Sequence, residues 1–214
     1  QPRVRLVSAD VSDRAGMEEA IGASPLVVNL AHGGGGASFG EIEQRMVGSA
    51  RLVGEICRAR GAKRLIHAST IAALYLGDPR VTILGSTPPD PQPAQRGDYA
   101  HAKVLAENVL MEMHRTQGLP LVILRPGVVV GEGSSPFHSG LGSFNNDQHC
   151  LGWNDGRNPL PFILVEDVAS AIVAGLRADG IEGRSYNLVG DVRPSASEYI
   201  AQLADALGRP LRFH

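Results

Sequence analysis

The chain has 214 residues, 43% hydrophobic and 20% charged, which suits one substantial core and excludes a disordered or low-complexity chain. A formal net charge of -2 gives no electrostatic reason to expect nucleic acid or an anionic membrane as partner. Two cysteines, Cys57 and Cys150, make no disulfide framework or zinc site, no apolar run is long enough to span a bilayer, and Gln1-Pro2-Arg3-Val4 has no signal-peptide layout, so the expectation is a soluble cytoplasmic protein.

Short apolar runs alternate with helical patterns. Val4 to Val7 reads as a first buried strand, and Leu26 to Leu30 as a second. Ile42, Met46, Ser49, Val53, Ile56 and Arg60 then repeat at helical spacing, with Gly61 suited to the helix end and Cys57 on the apolar side. Leu65 to Ala68 is a third strand. Ala102 to His114 is a second amphipathic helix, with Leu105, Val109 and Met113 on one side and Gly118 beyond its end; Asp98 fits its cap. Leu121 to Leu124 is a fourth strand. Residues 128–158 are rich in Gly, Ser, Asn and Pro and predict a long irregular segment, of the kind usually functional or mobile. Order returns with a strand at Phe162 to Val165, a helix through Val168, Ile172, Val173 and Leu176, and a strand at Tyr186 to Val189. Ser195 to Glu198 spells a capping box for a last helix through Ile200, Leu203 and Leu207, closed by Gly208. Strand alternating with helix predicts an α/β fold with a parallel sheet covered on both faces. Such a sheet binds ligands at the carboxyl ends of its strands.

The central chemical signal is Tyr99-Ala100-His101-Ala102-Lys103. Residues four apart share a helix face, and the chain has only four tyrosines and two lysines, Lys63 and Lys103, to make such a pair. An ammonium beside a phenol favours the phenolate. A phenol tuned in this way can pass a proton to or from a substrate oxygen while a nicotinamide cofactor carries hydride. The second signal is Leu65-Ile66-His67-Ala68-Ser69-Thr70, an apolar strand running into two hydroxyls at its carboxyl end. A hydroxyl there either orients the substrate oxygen or merely ends the strand. His101, between the pair, points off their face and reads as structural. His138, His149 and Cys150 match no common metal spacing, so no metal is expected. Trp153 and Phe144 either shape a pocket or anchor their segment.

In this order the residues resemble the extended short-chain dehydrogenases/reductases, the group that includes sugar-nucleotide epimerases, over nearly the whole chain. The resemblance implies a Rossmann-type doubly wound parallel sheet with a small C-terminal substrate lobe, divided as 1–130 for a partial dinucleotide-binding domain and 131–214 for a lobe interleaved with the last strands and helices. It matches Thr70, Tyr99 and Lys103 to the catalytic residues. It assigns cofactor contacts to Asp10-Val11 after the third strand of the family fold, to Leu30 and Ala31 of Asn29-Leu30-Ala31, and to Ser69, Tyr99 and Lys103. Pro126, Gly127 and Val128 in the turn Leu124-Arg125-Pro126-Gly127 complete that set. Phe162 to Asp167 with Val168-Ala169, and Tyr186-Asn187-Leu188, match later segments. Substrate contacts fall to Thr70, His32, His138 and Arg157; His32 and Arg157 serve equally well as solvated loop residues.

Departures from the family pattern shape the functional expectation. No G-x-G-x-x-G or G-x-x-G-x-x-G occurs, and Gly33 to Gly36 lacks the phosphate-loop spacing and reads as a flexible active-site loop. The chain therefore reads as starting at the third strand of the family fold, with a tail expected beyond His214. After Thr70 comes Ile71-Ala72-Ala73, without the Asp-Glu pair of sugar 4,6-dehydratases, which disfavours that reaction. Val128 stands where many epimerases carry Asn, Leu160 lies near where they carry Arg, and Met46 replaces the usual Asn of the fourth helix. The leading expectation is an NAD- or NADP-dependent epimerase of a nucleotide sugar, working by transient hydride transfer as a homodimer. The alternatives are a reductase or dehydrogenase of a small carbonyl or alcohol, and a non-catalytic cofactor sensor, although sensors tend to lose the tyrosine that this chain keeps.

Overall fold

The computed structural model describes residues 4–32, 36, 38–74, 80–146, 148–152 and 155–214. The chain divides into two compact units, one of residues 1–125 with 172–187 and one of 126–171 with 188–214.

In the first unit, Asp13 opens helix α1 (Arg14–Ile21) by accepting the Ala15 and Gly16 amides. Strand β1 (Leu26–Asn29) follows. Helix α2 (Phe39–Glu43) then runs through a π-helical turn at Gln44–Gly48 into α3 (Ser49–Ala59), so the periodic stretch read from sequence is one helical path with a widened turn inside it. Strand β2 (Arg64–Ala68), helix α4 (Asp98–Gln117) and strand β3 (Leu121–Pro126) complete the central part. Gly97, not Asp98, occupies the α4 cap position; Asp98 sits in the first turn, where its carboxylate suits the positive end of the helix. Gly118 ends α4 in the left-handed conformation at φ 70°.

Strands β1, β2 and β3 pair in parallel, with Val27 opposite Leu65 and Ile66 opposite Val122. The parallel sheet predicted from the alternation is thus present. One face is a core in which Leu65, Leu121 and Ile123 meet Val53, Ile56 and Cys57 of α3 and Ala106, Leu110 and Met113 of α4. On the other face Ile66 lies against Gly175, where an added Cβ would meet its Cδ1 at 3.1 Å. Buried Arg64 also faces this side. Its guanidinium donates to the Gly175 and Ala178 carbonyls at 2.6 and 2.9 Å and to Glu182 at 2.5 Å, capping the end of a helix by a strand side chain.

Val4 to Val7 forms no strand. Val4 and Leu6 are 82% and 93% exposed and find no ladder partner among the described residues. An apolar run becomes a strand only where a neighbouring edge takes its backbone hydrogen bonds.

The second unit also departs from the reading of residues 128–158 as irregular. It contains β4 (Val128–Val130) and a hairpin of β5 (Gly142–Asn145) and β6 (His149–Gly152). The hairpin turns through Asn146 at φ 51°. Its strands are short and rich in Gly, Asn and Ser, so no period-2 apolar pattern marked them. Strand β7 (Phe162–Leu164) pairs in parallel with β4 and leads into α5 (Val165–Arg177). Strand β8 (Ser185–Leu188) extends the first sheet in the order β1-β2-β3-β8, with Ile123 donating to the Arg184 carbonyl beside it. Helix α6 (Ala196–Leu207) carries the expected capping box and ends at Gly208, and β9 (Arg212–Phe213) adds to β6. A second core gathers Val128, Leu141, Cys150, Phe162 and Ile200. Gly33 to Gly35 of the glycine run, and Trp153, lie outside the described residues.

Candidate active site

Three elements of the first unit bring Thr70, Tyr99 and Lys103 together. Thr70 follows β2 at its carboxyl end and starts a short 3₁₀ turn, Ile71–Ala73, its hydroxyl accepting the Ala72 amide at 3.2 Å. That bond fixes the hydroxyl, which also stands close enough to the Tyr99 phenol to favour its ionised form. Tyr99 lies in the first turn of α4 and is 41% exposed, open enough for a substrate to reach its oxygen. Lys103 lies one turn on, only 6% exposed. Its amine stands 5.9 Å from the centre of the Tyr99 ring and donates to the Ala68 carbonyl at 3.2 Å.

The phenol behaves differently from the sequence expectation. Burial holds Tyr99 above its ordinary value, and Thr70 opposes this in part. Lys103 faces the ring and the Ala68 carbonyl rather than the hydroxyl, so its charge does not pull the phenol down in this arrangement. Burial also lowers the Lys103 amine, with the Glu107 carboxylate acting the other way.

A polar layer lies under this surface that sequence reasoning missed. His67, paired in register with Asn29, is 2% exposed and held neutral, its pKa pushed down to about 3 by burial first and the Lys103 charge second. The Asn29 carboxamide oxygen accepts the Ala31 amide at 3.1 Å. Its nitrogen therefore faces His67 Nδ1 at 3.3 Å, which accepts, leaving the ring proton on Nε2. The pair thus fixes the turn after β1, and the next residue, His32, stacks on Tyr99 at 5.5 Å and 19°. The signal was present in the sequence: a histidine inside an apolar strand and an asparagine ending another.

The other expected residues have varied surroundings. Asp10 is exposed, and one carboxylate oxygen accepts the Ser12 amide and hydroxyl at 2.8 and 2.6 Å. Val11 and Ala31 are half-buried and Leu30 is 63% exposed. Ser69 is buried, and its hydroxyl has no hydrogen-bond partner among the described residues. His101 stacks on Phe39 at 4.1 Å, a structural contact.

Pro126, Gly127, Val128, His138 and Arg157 belong to the second unit. A Cβ on Gly127 would sit 1.9 Å from the Pro161 carbonyl oxygen, so close backbone packing alone demands glycine there. Val128 is part of the second core. His138 accepts the Gly140 amide at 2.9 Å. Arg157 pairs with Asp155 at 3.7 Å, both side chains largely exposed, a contact of little energetic weight. Phe144 packs edge-on against Phe137. Among the described residues, no group of three or more His, Cys, Asp or Glu could hold a metal ion, and no helix is long and apolar enough to cross a membrane.

Comparison with known proteins adds an independent line. Residues 1–189 match the NAD dependent epimerase/dehydratase family. The fold superposes on dTDP-glucose 4,6-dehydratase from Bacillus anthracis, solved in complex with NAD, with a TM-score of 0.79, 20% identity, and coverage of 100% of this chain and 68% of that one. It superposes on UDP-glucuronic acid 4-epimerase from Bacillus cereus, also solved with NAD, with a TM-score of 0.77, 22% identity, and coverage of 94% and 67%. In sequence, 58 residues are 45% identical to a (4-alkanoyl-5-oxo-2,5-dihydrofuran-3-yl)methyl phosphate reductase from Streptomyces griseus, spanning 27% of this chain but only 21% of that protein.

Proposed function

This chain belongs to the NAD-dependent epimerase/dehydratase family, and from that membership we propose that it is part of an NAD- or NADP-dependent epimerase of a nucleotide sugar, with Tyr99 as its proton-transfer group. The observation that carries the reading is the meeting of Thr70 and Lys103 at a Tyr99 that remains open to solvent.

The residues present suit a nicotinamide cofactor. The buried Lys103 amine has three donors and gives one to Ala68, which leaves it able to hold ribose hydroxyls. Buried Ser69 offers a hydroxyl with no partner among the described residues. When bound, the cofactor supplies reversible hydride transfer. The chain's own residues do the rest. Thr70, pinned by the Ala72 amide, orients the substrate oxygen, and Tyr99 accepts or returns that oxygen's proton. His32, stacked on the phenol, walls one side.

Two relatives by fold act on nucleotide sugars, a dTDP-glucose dehydratase and a UDP-glucuronic acid epimerase. Epimerisation is favoured over dehydration because Ile71-Ala72-Ala73 follows Thr70, with no acid there to remove a carbon-bound proton or a hydroxyl. A second reading, a net reductase or dehydrogenase of a small molecule, has the support of a local likeness to a Streptomyces griseus protein named as a reductase. Following reduced-cofactor absorbance during turnover separates the two. The epimerase reading expects product with no net change in reduced cofactor. Consumption matching product mole for mole would replace it with the reductase.

A further inference from the structure

We propose that Glu107, clamped by Arg125, is the positioning residue that keeps Lys103 charged and in place beneath Tyr99. Tyr99, Lys103 and Glu107 lie at successive turns along one face of α4. Glu107 is 1% exposed and Arg125, on β3, 4%. The pair is bidentate: Arg125 Nε donates to both Glu107 oxygens at 3.0 and 3.2 Å, and its Nη2 donates to one of them at 2.7 Å.

A buried ion pair of this kind seldom adds stability over a well-packed apolar pair, so its presence invites a question about purpose. Its place supplies one. Lys103 is a nearly buried ammonium, and a buried cation without a counter-charge sheds its proton. Neutral His67 and the Tyr99 ring face it without charge, and the Ala68 carbonyl gives one hydrogen bond. Among the neighbouring elements, Glu41, Glu43 and Arg45 of α2 and the π-helical turn are exposed to solvent, and Asp90 and Arg96, before α4, pair with each other at 3.1 Å. Among the described residues, the Glu107 carboxylate, one turn along α4 from Lys103, is the charge that favours the ammonium. Arg125 holds that carboxylate in one place and occupies both its oxygens, so Glu107 supports Lys103 through space rather than capturing its amine. The amine stays directed at Ala68 and the Tyr99 face.

The consequence for turnover rests on the proton-transfer reading above, but the Lys103 charge can be measured without turnover. The chain has two lysines, and Lys63 is exposed. In protein labelled with ¹³C-lysine, the Cε resonances of Lys63 and Lys103 can be titrated together, Lys63 serving as internal reference. In Glu107→Gln the Lys103 midpoint should fall by about one to three pH units, the effect of removing a close opposite charge, with Lys63 unmoved. The double variant Glu107→Gln/Arg125→Met, which leaves no unpaired buried charge, should show a fall of the same sign. Arg125→Met alone should show none, because the carboxylate remains. A merely structural pair would instead make the two single variants behave alike. An unmoved Lys103 midpoint in Glu107→Gln and in the double variant, or an equal fall in Arg125→Met, would overturn the proposal. A fall as stated, with full turnover in Tyr99→Phe, would sink the proton-transfer reading and leave this one standing.

Discussion

Replacing Tyr99 by Phe should lower turnover by about 10²–10⁴-fold while leaving cofactor affinity nearly unchanged, the contribution expected of a general acid–base group. The phenol oxygen is the only atom removed, and the ring that Lys103 and His32 face stays in place. The loss therefore falls on the chemical step and not on binding. Lys103→Ala should weaken both turnover and cofactor binding, because the amine packs beneath the phenol ring and keeps donors beyond the one given to Ala68 for the ribose. The pH dependence follows from the site. Burial holds the phenol above its ordinary value, so turnover in the direction where Tyr99 accepts a proton should still be rising through mildly alkaline pH. Steady-state kinetics of Tyr99→Phe with cofactor titration checks this. Activity above about a tenth of wild type would assign proton transfer to another group.

The second large effect is on stability in acid. His67 has a folded pKa of about 3, below its unfolded value of 6.5, so the unfolded chain binds more protons between these values. The stabilisation this group provides is fully present above pH 6.5 and is lost as pH falls toward 3. Between pH 7 and pH 4 wild type should lose about 3 kcal/mol more than a His67→Gln variant, which carries no titrating ring. Urea unfolding of the two proteins at both pH values measures the difference. Equal losses would mean that His67 is charged or exposed in the folded protein. The same variant should loosen the turn at Ala31, because His67 orients Asn29 and Asn29 holds the Ala31 amide.

Much of the first unit was legible because its elements are long and periodic. Strands β1, β2 and β3 each carry an apolar run, Leu26 to Val28, Leu65 with Ile66, and Leu121 to Leu124, of the kind parallel strands show, and α4 ends where Gly118 provides a left-handed residue. Tyr99 and Lys103 were legible because four residues along a helix make a fixed geometry. The second unit was harder. Its hairpin of β5 and β6 turns on Asn146 and carries glycines and asparagines where alternation would show a strand, and β9 is two residues long. The buried polar layer escaped for another reason. His67, Asn29, Glu107 and Arg125 are far apart in sequence, and only β2 beside β1 and α4 over β3 make neighbours of them. Val4 to Val7 shows the converse: an apolar run with no partner edge among the described residues forms no strand.

The most direct test of the central claim is to run the reaction on a nucleotide sugar in D₂O and locate deuterium in the product by NMR. If Tyr99 moves only the oxygen-bound proton while the carbon-bound hydrogen shuttles through the cofactor, the sugar is inverted at one centre. That carbon keeps the substrate's own hydrogen, and Tyr99→Phe abolishes the inversion. Solvent deuterium at the inverted carbon would mean that a protein base removes a carbon-bound proton, contradicting hydride transfer and the role assigned to Tyr99.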